Sequence, residues 1–350
     1  MNFRECRQTA MLSVFRTLEP ELSKKKNFLV LGGMRNAYYS FNYQGIEILG
    51  LCGCYEINVP GIFELFDIKY ETIPANEFWE VFKQESVHED SHFILPFVRD
   101  VVNTEDVDLT KNNLIGASYL LVDRIEGDRM YLNTREYDVG DEEGYYITKS
   151  VYDKLNNNKK WIYEADFEGY RVYKKDLKDS YFVRERLNKT EKELLIDNIV
   201  NFQMDNTMIG DEGTIRYEGN RVYEDISGYL ENMLELLVRQ KGTDYYNKLL
   251  QYVYLQLINF RKMIAAGSDG YYRTEFREIL SGYDEFKDDL DRWDKIIGLW
   301  RSFGRVLAQG QKKAYLCSHA EKVIKQLIEI WKNIAYEEKL AMDILVQKVC

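Results

Sequence analysis

The feature that most constrains this chain is a change of period near residue 187. Beyond it, six segments carry apolar residues at helical spacing: 193–208, 221–239, 245–266, 271–280, 285–307 and 312–348. Gly210, Gly242, Gly267 and Gly282 mark breaks between them. Long amphipathic helices joined by short loops bury their stripes against one another, so this part is predicted to be an all-α bundle. No fixed-period repeat is present, which argues against a solenoid.

Before residue 187 the apolar runs are short and broken by Gly, Pro and Asp. Ala10, Met11, Val14, Phe15 and Leu18 share one face of a helix over 5–18, closed by Pro20. Residues 27–31 form a short apolar run before Gly32-Gly33 and read as a buried strand and turn. Strands are expected at 38–43, 46–54, 69–73, 93–101, 117–123, 129–134, 145–148 and 169–173, with helices at 60–66 and 76–84. The Glu126-Gly127-Asp128 turn joins two of these strands as a hairpin. The predicted fold class is α+β: a half over 1–185 with a mostly antiparallel sheet, then an all-α helical domain over 186–350.

Composition narrows the function. With 350 residues, 45% hydrophobic content and 4 prolines, the chain is expected to hold two packed cores without a long flexible linker. A net charge of -11, with no concentration of Lys and Arg, predicts no nucleic-acid partner. The run Lys24-Lys25-Lys26 reads as a solvated loop. The first nine residues carry Arg4, Glu5 and Arg7 and no apolar signal core, and no run approaches the roughly 18 apolar residues of a membrane span. A cytoplasmic protein with no membrane partner is the expectation. Its 5 cysteines are then expected to be free thiols, and 3 histidines with a Cys52-x-Cys54 spacing make a metal site and a cofactor unexpected.

Cys6 is the leading catalytic candidate, because a thiol in the first turn of a helix faces the positive end of the helix dipole, which favours thiolate. The alternative is that Cys6 is a small buried hydrophobe. Arg273 and Arg277 lie one helical turn apart and could clamp a carboxylate or phosphate, although pairing with Glu275 or Glu278 is the simpler expectation. The carboxylates Glu89-Asp90 and the run 138–143 read as solvated loops. The 27 tyrosines could line a groove but fit half-buried packing better. Gly32-Gly33 and the glycines of 267–270 form neither a P-loop nor a dinucleotide fingerprint.

Several stretches in order resemble one family. These are Glu5-Cys6-Arg7-Gln8-Thr9-Ala10, Leu31-Gly32-Gly33, the segment 79–100 ending Pro96-Phe97-Val98-Arg99-Asp100, the hairpin 114–133, and Gly267-Ser268-Asp269-Gly270-Tyr271-Tyr272-Arg273 through Phe276. Glu337, Glu338 and Leu345 extend the pattern. Together they resemble the butirosin biosynthesis protein H family, a papain-like fold related to bacteriocin-processing cysteine peptidases with a helical C-terminal domain. The resemblance implies that Cys6 is the nucleophile. Where that family has its catalytic histidine, this chain reads Gly116-Ala117-Ser118-Tyr119, and where it has an orienting aspartate, this chain has Asn133. Asn133, Ser118 and His92 are the supporting candidates. His92 or His88 would approach Cys6 only under a shifted correspondence, and otherwise each is a surface histidine in the charged loop 85–92.

What the resemblance implies is an acyltransferase or amide-forming enzyme of natural-product biosynthesis. It would move an acyl group from an acyl or peptidyl carrier protein to Cys6 and then to a small-molecule amine. An acidic carrier and an acidic chain repel at long range, so a basic rim near Cys6 is expected. The alternative is a catalytically degenerate papain-like protein that binds a peptide or carrier as an accessory. The long helix over 312–348 is compatible with a homodimer.

Overall fold

A computed structural model of the chain describes residues 6–43, 46–54, 62–64, 66–85, 90–98, 101–108, 117–133, 145–157, 168–209, 215–263 and 271–350. Within these stretches, the side chains of Cys6, Ala117, Ser118 and some others lie outside the description. The chain divides into two compact units: Met1–Leu31 with Ile57–Thr190, and Gly32–Glu56 with Glu191–Cys350. The second boundary falls close to the period change. The excursion of Gly32–Glu56 into the second unit is absent from a single division at 185/186. The fold class is α+β, with two antiparallel sheets and a helical C-terminal region.

In the first unit, β3 (Tyr70–Pro74), β8 (Glu168–Tyr173), β4 (Ser91–Val98), β5 (Ala117–Glu126), β6 (Arg129–Leu132) and β7 (Tyr145–Thr148) form one sheet in that spatial order. Every pairing is antiparallel. Side chains alternate across it. Phe93, Leu95, Leu120, Val122, Met130, Leu132 and Ile147 face α3 (Ala75–Glu85) and α4 (Lys149–Asn157). Those helices contribute Phe78, Trp79, Phe82, Val151, Tyr152 and Leu155 to the same core. The intervening residues Ile94 and Leu121 belong to the opposite face and are also buried. There α1 (Cys6–Phe15) packs along β5, burying Ala10, Met11, Val14 and Phe15.

Residues 27–31 are not a strand. They end α2 (Lys24–Val30), because the Ser23 side chain accepts from Lys26 N–H at 3.0 Å and caps the helix start. Lys24-Lys25-Lys26 is therefore the first turn of that helix rather than a loop. Two short helices, α5 (Lys174–Asp179) and α6 (Tyr181–Asn188), close the unit, and the Ser180 hydroxyl accepts from Val183 N–H at the start of α6.

The second unit corrects the expectation of an all-α domain. It contains the sheet β2 (Ile46–Cys54), β1 (Met34–Tyr43), β10 (Ile215–Glu218), β9 (Asn206–Ile209) in that order. The predicted helix 193–208 is α7 (Glu191–Phe202), which stops before β9. Strands of four residues are too short to reveal a period of two, so helical periodicity on both sides hides them. β1 pairs with β10, and the rings of Tyr38 and Tyr217 stack at 4.9 Å across the join. Gly32 and Gly33, with φ 101° and 62°, make the turn into β1. Asn198 of α7 donates to Gly32 O and Met34 O at 2.9 and 3.0 Å and fastens that turn.

Around the sheet lie α8 (Arg221–Gln240), α9 (Tyr246–Met263), α10 (Tyr271–Leu280), α11 (Leu290–Gly310) and α12 (Lys313–Val349). Trp293, Trp300 and Trp331 are fully buried among them, and Trp300 meets Trp331 edge to face at 5.7 Å. α12 bends at His319, whose ring stacks on Tyr315 with centroids 4.4 Å apart.

Candidate active site

Cys6 is the first described residue of α1, the residues before it lie outside the description, and its place in the first turn is the expectation from the periodicity. First-turn N–H groups have no partner within the helix and present a positive partial charge, which favours a thiolate there and could hold an oxyanion. Where the rest of this helix goes decides which residues can assist.

Thr17, just past the carboxyl end of α1, fixes its direction. The Thr17 hydroxyl donates to Val14 O at 2.7 Å. Its contact with His92 Nε2 at 3.2 Å then requires the hydroxyl to accept, which assigns the imidazole proton to Nε2. His92 therefore pins the end of α1 opposite Cys6. At 1.5 Å per helical residue α1 alone spans about 14 Å from Cys6 to Phe15, so Cys6 and Thr17 stand at opposite ends of it. β4 and β5 run antiparallel, with Ile94 opposite Leu121 and Val98 opposite Ala117. His92 thus lies level with the later part of β5.

This corrects two expectations for His92. It is not a surface histidine in a charged loop but a buried residue of β4, at 8% exposure. Nor is it within reach of Cys6. Burial, with Lys174 adding repulsion, holds its imidazole down at about 4, so it is neutral near pH 7.

The other candidates separate by register. Position 117 alternates with Tyr119 and Leu121, on the α1 face, whereas position 118 alternates with Leu120 and Val122, which face α3 and α4. The side chains of Ser118 and Cys6 themselves lie outside the description. Asn133 donates its backbone N–H to Leu121 O at 2.8 Å and extends the β5–β6 pairing by one residue. It stands level with Leu121, four strand positions or about 13 Å from Ala117.

His88, Glu89, the acidic run 138–143, Gly267-Ser268-Asp269-Gly270 and Arg4 lie outside the described residues, as do the side chains of Cys6 and Arg7. Among the described residues no group of three or more His, Cys, Asp and Glu could hold a metal ion. Among them, too, no helix is long and apolar enough to cross a membrane.

Arg273 and Arg277 do not form a clamp, and neither pairs with Glu275 or Glu278. Arg277 makes two hydrogen bonds to Asp294, at 3.0 and 2.9 Å. Arg273 is fully enclosed and donates from Nε to Glu338 Oε1 at 2.9 Å. It stacks 4.3 Å from the Trp300 ring. Their partners lie 17 and 65 residues away in sequence, beyond the reach of any reading by local spacing.

No protein-family model matches this chain, and no curated protein matches it in sequence. The resemblance to the butirosin biosynthesis protein H family therefore rests on its short motifs alone.

Proposed function

We propose that this protein is a cysteine-dependent acyltransferase that accepts an acyl group from a carrier-protein thioester on Cys6 and passes it to an amine. The observation that carries the reading is that Cys6 lies on α1, a helix packed along β5 of the antiparallel sheet. On this reading, a thiol at a helix start with no imidazole beside it among the described residues suits one class of donor above others. Attack of the Cys6 thiolate on a thioester forms a new C–S bond and expels the carrier thiolate, which needs no proton to leave. A peptide bond would expel an amine, which must be protonated by a general acid. In the second step a neutral amine adds to the acyl-cysteine. The C–S bond breaks, the amide forms, Cys6 returns as thiolate, and the ammonium proton passes to solvent or to that thiolate.

The partners on this reading are an acyl or peptidyl carrier protein and a small-molecule amine, and the setting is natural-product assembly in the cytoplasm. The packing of α1 along β5 of the antiparallel sheet supports it.

A second reading is favoured by the engagement of His92 with Thr17, which leaves the chain without an imidazole near Cys6 among the described residues. In that case the protein is a non-catalytic relative that binds a peptide or carrier as an accessory.

Intact-mass measurement after incubation with a panel of acyl thioesters, with Cys6→Ala alongside, separates the two. The enzyme reading expects an acyl adduct on the wild-type chain and none on the variant. A chain that stays unmodified by every donor leaves the binding reading.

A further inference from the structure

β2 is the outer strand of the four-stranded sheet, so one row of its backbone N–H and C=O groups has no strand partner. Such a row is a template for another strand, and native proteins cover or blunt it. Here the cover is built from side chains. Gln256 of α9 accepts from Leu49 N–H at 3.0 Å and donates from Nε2 to Leu49 O at 2.7 Å. Its carboxamide thus makes both bonds that a peptide of a neighbouring strand would make. One helical turn earlier, the Tyr252 hydroxyl donates to Glu47 O at 2.9 Å. Tyr229 of α8 ties the pair together, with its hydroxyl 2.7 Å from Gln256 Oε1 and 2.6 Å from the Tyr252 hydroxyl. Gln256 is fully buried, which makes its polar head costly unless every bond is made.

We infer that Gln256 is an edge lock: it occupies the place of a fifth strand and keeps β2 from pairing with β2 of a second copy of this chain. The alternation of β2 puts the backbone groups of Glu47, Leu49, Leu51 and Gly53 on the outward side, and side chains of α9 bond those of Glu47 and Leu49. A two-fold pairing of β2 with its own copy would use the same groups antiparallel to each other.

The test is hydrogen exchange at Leu49 together with the association state of full-length Gln256→Leu. Removing the carboxamide is expected to speed exchange of the Leu49 amide by about tenfold or more, the factor associated with one buried hydrogen bond. It is also expected to raise the molar mass in a concentration-dependent way relative to the wild-type chain. Unchanged protection, or faster exchange with no added association, would overturn the lock. Gln256→Glu guards against a variant that does not fold. A protonated carboxyl can still accept from Leu49 N–H and donate to Leu49 O, whereas a carboxylate cannot donate. The Glu variant is therefore expected to match wild type in acid and to associate near neutral pH. Association that does not reverse on acidification would contradict the geometry.

Discussion

Arg273 and Glu338 sit in the helical unit with no solvent exposure on either side chain, and they are joined by hydrogen bonds of 2.9 and 3.3 Å. Glu338 also accepts from Trp300 Nε1 at 2.5 Å and from the Tyr223 hydroxyl at 2.7 Å. Burial and this carboxylate push the Tyr223 hydroxyl well above the ordinary tyrosine range, so it stays a donor. One carboxylate therefore draws α8, α10 and α11 onto α12. Removing one partner of a buried pair leaves a charge uncompensated, at a cost of about 3–5 kcal/mol. Glu338→Ala is expected to lose about that much in urea denaturation. The adjacent Glu337, held by the partly exposed Arg292 and Lys295, is expected to lose about 1 kcal/mol or less on the same change. Equal losses at the two positions would show that burial of the pair is not what matters.

The His92 clamp predicts a pH dependence of stability. Its imidazole titrates at about 4 in the folded chain and near 6.5 when unfolded. Between these values the unfolded chain binds the proton and the folded chain does not. Stability from this group is complete above about pH 6.5 and declines as pH falls toward about 4, by at most about 3 kcal/mol. His92→Gln is expected to flatten that portion of the curve, measured as urea midpoints between pH 7 and pH 4.5. A variant with the same slope as wild type would assign the acid sensitivity to other groups.

Two glycines with the same backbone angle separate strain from crowding. Gly33 and Gly127 both have φ +62°. A Cβ at Gly127 meets nothing within 4 Å, so Gly127→Ala is expected to cost only the left-handed strain, about 1–2 kcal/mol. At Gly33 the added carbon would stand 2.7 Å from the Asn198 side chain that fastens the turn. Gly33→Ala should therefore cost clearly more, read as the difference between the two denaturation midpoints. Equal costs would mean that Asn198 moves freely aside.

On the proposed acyl-transfer reading, in which position 117 stands where the resembled family has its catalytic histidine, Ala117→His puts an imidazole at the start of β5. Formation of the Cys6 adduct is expected to accelerate by about 10²–10⁴ and to gain a pH dependence centred near the histidine range. The readout is the pH profile of adduct mass against time. An unchanged rate and profile would place position 117 out of reach of the thiol.

Local pattern was enough for much of this chain. Period alone located α10 at Tyr271–Leu280 and α8 at Arg221–Gln240, and alternation with an Asp/Gly turn located the β5–β6 hairpin. The antiparallel character of the first sheet followed from those short alternating runs. Residues 27–31 were misleading because a capped two-turn helix buried on most sides has the same apolar run as a strand. The Cys6 helix was legible, but its register against the sheet was not, and that register removes His92 from the site.

What the sequence by itself determined was the set of amphipathic segments and the class α+β, because period and turn chemistry are local properties. Tertiary structure decided the rest. It joined Tyr38 to Tyr217, Gln256 to Leu49 and Arg273 to Glu338, pairs 65 to 207 residues apart. It also placed the hairpin β1–β2 with the helical unit and His92 at the far end of α1. These outcomes depend on burial and on hydrogen bonds whose donors and acceptors meet only after the chain has folded, and no local spacing encodes them.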